Sequence, residues 1–360
     1  MKQPYSYSSV LHIACTLTIA LGFSNIAAQS KKVVDSTYFI SYPEKIVVKA
    51  NVDTQTDTYI LRERVTGERL EIMPNNQFRL FFSFDYKFVG FSFGFAPKLF
   101  ADNDDNRLKG ASSFTDYKFY FYFGKFVQSV QYQKINGYYV ENTEDFIQDW
   151  EKGEDPYLQL TDFKKTFYGL STAYVLNDRF SYRNLNNPTE FQRKSAGSFV
   201  PTLDYNFNRL SNKFLGEKSD EDQYNIRLAL RYYYTLVLAE KWFVTPNISP
   251  SVGIQFSDYK STDAFDVSTR EKNTLFTRSL DGGMHLGFNT SRVFVGANLN
   301  FYVNWYDEDK NSSVQNDQIY GLLYVGYRFG APSFIKRPIE NAEDKMQEEL
   351  KSFEKHKKRE

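Results

Sequence analysis

The sequence predicts an all-β fold, an antiparallel transmembrane β-barrel of about twelve strands with a short C-terminal periplasmic helical tail, and three observations lead there. From residue 44 to 330 apolar and polar residues alternate with period two, which sends successive side chains to opposite faces of a strand. One face of each run is continuously apolar while the other is small or polar. Runs such as 224–239 and 292–306 outlast the ~9–11 residues a tilted strand needs to cross a bilayer. The chain also holds 34 Phe and 27 Tyr at a mean hydropathy of −0.53, with no long apolar stretch beyond its N-terminus, which excludes a helical membrane protein. A soluble sandwich, with its core about 10 Å thick, would show shorter strands.

Residues 1–28 read as a cleaved signal peptide: Lys2, an apolar run from Val10 to Phe23, then Ala27 and Ala28 before the cut. Cleavage removes Cys15, the only cysteine, and with it any disulfide or thiol nucleophile. His12, Ile13 and Ala14 before it make a poor lipobox. Residues 29–43 form an N-terminal periplasmic lead-in, 44–330 the barrel, and 331–360 a charged amphipathic tail.

Within the barrel, strands are expected at 44–52, 76–86, 90–99, 113–123, 126–135, 165–176, 224–239, 241–256, 274–288, 292–306 and 317–329. Phe78, Leu80, Phe82, Phe84 and Tyr86 make one outward row; Leu228 and Leu230 belong to another, opposite Arg227, Ala229 and Arg231. Short turns fall at 87–90, 124–125, 177–179, 239–241 and 289–292. Longer loops fall at 53–75, 100–112, 138–162, 207–223, 258–272 and 307–316, and short periplasmic turns alternating with long outer loops are a barrel habit. Parity then makes 180–206 a single crossing, interrupted at 186–198 by a bulge or by a segment turned into the lumen. On that reading the outward row shifts from Phe180 and Tyr182 to Phe199, Leu203 and Tyr205. The count is twelve with both termini in the periplasm; ten and fourteen stay open because 59–72 also reads as a hairpin.

In the tail Ile339, Ala342, Met346, Leu350 and Phe353 recur at helical spacing. The stripe suits a helix over 338–356 that docks into a periplasmic partner; the alternative is a solvated tail.

Two blocks carry a family resemblance. Asp35-Ser36-Thr37-Tyr38 with Tyr42-Pro43-Glu44-Lys45-Ile46-Val47-Val48 is one. Phe180-Ser181-Tyr182-Arg183, then Gln192, Lys194 and Ser195-Ala196-Gly197-Ser198-Phe199, is the other. Over roughly 33–330 the chain resembles an uncharacterised, Bacteroidota-enriched family of outer-membrane barrels of unknown function. The resemblance implies a barrel in the outer membrane, contacting its lipid, and implies no activity.

The chemistry is sparse. Lysine plus arginine and aspartate plus glutamate both total 44, so charge offers no argument for nucleic acid. After cleavage two histidines remain, His285 and His356, and no His/Cys set has metal-ligand spacing, so neither metal nor cofactor is expected. Asp102, Asp104 and Asp105 carry oxygens that suit calcium, or form a solvated loop. A lipid-modifying enzyme would need His285 as its base. Asp281, four residues away, lies about 13 Å along the same face, too far to orient it. No catalytic residue is expected.

The informative rows face inward. Lys45, Lys49, Arg79, Lys98, Lys118, Lys165, Arg183, Arg227, Arg231, Arg292 and Arg328 form a basic set, against Asp85, Asp116, Asp204, Asp281 and His285. A basic lumen suits passage or binding of a small anionic solute. The alternative is a barrel plugged by its own side chains, serving as envelope anchor or assembly partner.

Overall fold

The computed structural model describes residues 37–357 apart from 56, 64–66, 187, 215, 308–311 and 316–317; the signal segment 1–28 lies outside the described residues. In chain order the strands are β1 (Phe39–Ser41), β2 (Lys45–Asp53), β3 (Tyr59–Glu63), β4 (Arg69–Met73), β5 (Arg79–Tyr86), β6 (Val89–Phe95), β7 (Ser113–Phe123), β8 (Phe126–Val140), β9 (Leu158–Tyr174), β10 (Glu190–Gln192), β11 (Ala196–Phe214), β12 (Glu217–Ala239), β13 (Trp242–Thr262), β14 (Ser268–Asn289), β15 (Val293–Asp307), β16 (Ser312–Gln315) and β17 (Gln318–Gly330). Helices are α1 (Asn106–Lys109), α2 (Arg183–Asn186) and α3 (Ser333–Lys357).

Twelve of these strands pair antiparallel into a closed barrel. β2 pairs with β5, β5 to β9 follow in sequence, and β11 to β15 continue to β17. β17 closes the ring on β2, from Lys45 opposite Gly330 to Asp53 opposite Leu322. Closure leaves the ring no free edge, so the ladder groups pair between neighbouring strands, the condition for crossing lipid.

The outer face is apolar and exposed. Leu228, Leu230 and Leu236 of β12, Ile248, Val252 and Ile254 of β13, and Phe276, Met284 and Leu286 of β14 all point outward with no protein cover. In water such a belt would be a large liability; against acyl chains it is the stabilising surface.

Three sequence expectations are corrected. β11, β12, β13 and β14 continue past the apolar alternation into 207–223 and 258–272, which had read as loops, and leave only the short connections 215–216 and 263–267. There the ladder is held by charged cross-strand pairs, Arg209 with Asp222 at 2.6 Å and Arg270 with Asp258 at 2.5 Å. The strands outrun the bilayer, and their polar ends carry no period that marks them as strand. Second, 59–72 is a hairpin, β3 with β4, but it stands outside the ring of twelve. It pairs with β16 and β8, and Tyr59, Leu70 and Ile72 pack on Phe114, Ile135 and Tyr138 inside the wall.

The third correction concerns 180–206. The crossing begins at Ala196, while 175–195 is a connection folded into the turn end of the barrel. Phe180 and Tyr182 do not face lipid; they are buried with Tyr122, Val127, Ala173, Val175, Ala196 and Val200. The outward row therefore undergoes no shift of parity.

Helix α3 follows β17 at the same end. Ile335, Lys336, Ile339, Glu340 and Glu343 are half-buried, while Phe334, Arg337, Asn341, Ala342 and Asp344 are exposed. The covered stripe faces the barrel's own rim: Lys336 pairs with Glu44 at 2.7 Å, and Lys87 with Glu343 at 2.9 Å and Glu340 at 3.3 Å. Between those bridges lie Ile46 and Tyr86, outward residues that are nonetheless fully buried. Ala342 thus lies off the contacting stripe, and the side chains of Met346, Leu350 and Phe353 lie outside the described residues.

Candidate functional site

The site is the lumen, and its turn end is shut. β10 pairs with β1, Phe39 opposite Gln192, so the lead-in and the 175–195 connection form a two-stranded plug. Gln192 is wholly buried at its centre. Its amide nitrogen faces the carbonyls of Arg179 (2.8 Å), Lys194 (2.9 Å) and Tyr38 (3.2 Å), and its oxygen accepts from the Ser181 N–H (2.8 Å). The described parts of the two sequence blocks that carry the family resemblance flank this plug and run on from it into the barrel strands β2 and β11.

Barrel side chains hold it from several walls. Lys49 of β2 donates to the Asn186 carbonyl at 2.7 Å. Arg328 of β17, 1% exposed, donates to the Pro188 carbonyl at 2.6 Å and to Asn289 Oδ1 at 2.8 Å. Arg183 of α2 donates to the Lys87 carbonyl at 2.7 Å and lies over the Tyr122 ring. Glu190 accepts from the Ser181 hydroxyl at 2.6 Å; burial pushes its carboxyl up, with Arg183 and that hydroxyl opposing. Cationic groups on carbonyls of a loop give stronger bonds than neutral donors, and these come from one arc of the wall, the paired strands β17 and β2 and the turn after β5.

Beside the plug an aromatic shelf crosses the wall. His285 Nε2 and the Tyr324 hydroxyl are 2.6 Å apart, with Phe243 edge-on to the imidazole at 5.0 Å between centroids. Glycine makes this possible: a Cβ at Gly287 would sit 2.3 Å from Phe243, and one at Gly296 would sit 2.3 Å from the Tyr324 hydroxyl. Rings lie flat where wall side chains are missing. Asp281 takes no part in this pair.

Mid-lumen, Arg227 reaches Asp204 through two nitrogens at 2.8 and 3.1 Å, and Asp281 at 3.6 Å; Arg231 lies 3.6 Å from Asp204. Gly253, opposite Arg227, has no room for a Cβ, which would meet the Ile226 carbonyl at 2.7 Å. Toward the loop end Arg79 pairs with Asp57 at 2.8 Å, and Lys165 pairs with the same carboxylate. Burial alone would raise the Asp57 carboxyl, but Lys165 and Arg79 outweigh it and hold it at about 2. Asp116 accepts from Gln131 and Gln133 at 2.5 and 3.2 Å. Lys118 lies over the Tyr120 ring, and Asp85 is buried at 1% exposure.

Four residues of the inward set are placed elsewhere. Lys98 is exposed in the loop after β6, beside Asp104, because β6 ends at Phe95. Arg292 is exposed in the turn before β15. Lys45 sits at the rim and donates to the Ser291 carbonyl. Arg183 belongs to the plug and not to a strand. Asp57 and Glu190 were missed, and Gln192 was singled out only within the second resemblance block; all three lie outside the barrel strands, where no alternation assigns a face. Among the described residues no group of three His, Cys, Asp or Glu is placed to hold a metal ion.

Among the described residues the lumen keeps open space in at least two places. One of 540 Å³ lies toward the loop end, among Gln55, Asn206, Asn225, Tyr302, Tyr320 and others. One of 270 Å³ lies above the plug, among Lys118, Gln131, Tyr182 and Asn186. Arg227, Arg231 and Tyr233 border both.

A closed ring of twelve strands, apolar outside, polar within and internally plugged, defines an outer-membrane β-barrel, with its short turns and α3 at the same end. The chain belongs to the family described as Domain of unknown function (DUF4421), whose model matches residues 33–329. Among solved structures it is similar to the beta domain of the Bordetella autotransporter BrkA, at 10% identity and a TM-score of 0.40, covering 80% of this chain and 100% of that one. It is also similar to the transport unit of the autotransporter AIDA-I from Escherichia coli, at 10% identity and a TM-score of 0.39, covering 85% and 97%. The outer membrane protease OmpT from Escherichia coli is similar at 9% identity and a TM-score of 0.33, covering 81% and 98%. No curated protein matches the sequence.

Proposed function

We propose that the protein is an occluded outer-membrane barrel, which holds a solute in its lumen and lets it pass only when the periplasmic plug shifts. The observation that carries this reading is the plug's attachment, with Lys49 and Arg328 bonded to its carbonyls from within the wall. The anion-passage expectation rested on free lumen cations. In the fold Arg227, Arg231, Arg79 and Lys165 all face carboxylates, so the charge is spent on internal pairing. The second expectation, a plugged barrel, is the one this geometry supports. The ion pairs of α3 with the rim reach Glu343, and the helix backbone continues to Lys357, a handle for a periplasmic partner.

Planar-bilayer recording tests the reading. The natural protein is expected to be electrically silent, and Lys49→Met with Arg328→Met to open steady or flickering conductance. A natural protein that conducts continuously would overturn it.

A further inference from the structure

From the 540 Å³ cavity we infer a binding site for an uncharged polyhydroxylated molecule of sugar size, a deduction that rests on the occluded-barrel reading for its standing solute. The volume falls within the range of about 300–1,000 Å³ typical of small-ligand sites. Nine of its lining residues are Asn or Gln and four are Tyr. Amides and phenols offer donors and acceptors together, as a hydroxyl does, whereas an anion asks for donors alone.

The amides stand in order. Asn206 faces Asn225 across β11 and β12, and Asn225 faces Gln255 across β12 and β13; Asn208 faces Gln223 on the adjoining inward level. The result is a contiguous amide wall, with Asn300 and Tyr302 of β15 also lining the cavity. Tyrosine rings give the C–H faces of a sugar an apolar surface beside those amides.

Charge argues the same way. The cations lining this cavity are Lys165, Arg227 and Arg231, and each faces Asp57, Asp204 or Asp281. An anion would have to displace a carboxylate already in place; a neutral polyol would not.

Calorimetry on the full-length protein in detergent tests this, with sucrose as probe and glucuronate as the anionic sugar of similar chemistry. Sucrose is expected to bind with an affinity unchanged between about 50 and about 500 mM salt, since no ion pair is made. Asn208→Leu with Asn225→Leu is expected to weaken it at least tenfold while heat-modifiable migration persists. Should that variant fail to fold, Asn300→Leu on β15 is expected to produce a similar loss. Tighter, salt-sensitive binding of glucuronate would overturn the inference, as would the absence of heat with sucrose, or unchanged affinity in the folded variants. Silent bilayers without sucrose binding would sink this inference alone; conducting bilayers with sucrose binding would sink only the occlusion.

Discussion

Arg183 and Lys87 are joined by a single bond, guanidinium to main-chain carbonyl at 2.7 Å, and through it the plug touches the C-terminal helix. Lys87 sits in the β5–β6 turn with a left-handed φ of 52°, so its carbonyl turns inward while its ammonium reaches out to Glu340 and Glu343. One turn residue therefore grips the plug by its backbone and α3 by its side chain. Lys87→Met is expected to release only the helix: trypsin cleavage at Lys345 should accelerate several-fold while bilayers stay silent. Arg183→Met is expected to do the reverse, giving brief openings with the helix still protected.

The Asp204 network should behave as structure. Its carboxylate is only 6% exposed and depends on Arg227 and Arg231. Arg227→Gln with Arg231→Gln would leave it without a cation, at a cost of about 1–3 kcal/mol, read as a lower urea midpoint of unfolding in lipid. Adding Asp204→Asn to that pair should restore much of the loss. If the double variant were as stable as the natural protein, the network would be dispensable.

Acid should separate the two ends of the molecule. Asp57 has a depressed folded pKa, so its contribution is present above the ordinary carboxylate range and is lost only as pH falls through about 2. Glu44 is also depressed, by its bond and charge interaction with Lys336, but it is fully exposed. Its support for α3 is likewise present above the ordinary range and is lost below it, and salt screens it as well. At about pH 4, amide exchange should find β3 and β4 protected at low and high salt alike. Protection of α3 should fall with added salt.

Removal of α3 should leave an inserted barrel. β17 pairs with β2 through Gly330, before the helix begins, so truncation after 331 keeps the closure intact. The truncated protein should still migrate heat-modifiably, with Ile46 and Tyr86 newly uncovered. Loss of insertion would make the helix part of the folding unit.

The wall was legible in the sequence because lipid outside and polar groups within impose period two on each crossing. Arg227, Ala229 and Arg231 face inward as expected, since a one-residue slip would carry both charges into lipid. What the alternation could not show were groups acting from connections. Asp57 lies between β2 and β3, and Gln192 owes its burial to a pairing with residue 39, far away in the chain. Phe180 and Tyr182 imitate an outward pair because a buried plug and a lipid-facing strand favour the same aromatic residues. The partners of the basic row came from nearby backbone, Asp204 directly opposite Arg227 on the neighbouring strand and Asp57 from the β2–β3 connection, and strand register is what alternation alone leaves open.

The plug is also the covalent link between β9 and β11, so it is a tethered stopper. A stopper so tethered cannot be expelled or exchanged between molecules. Reclosure is then a one-molecule event, governed by chain length and independent of how many copies the membrane holds. Among the described residues the strand paired with that connection is β1, three residues long. A pull on the N-terminal lead-in would therefore act directly on the stopper.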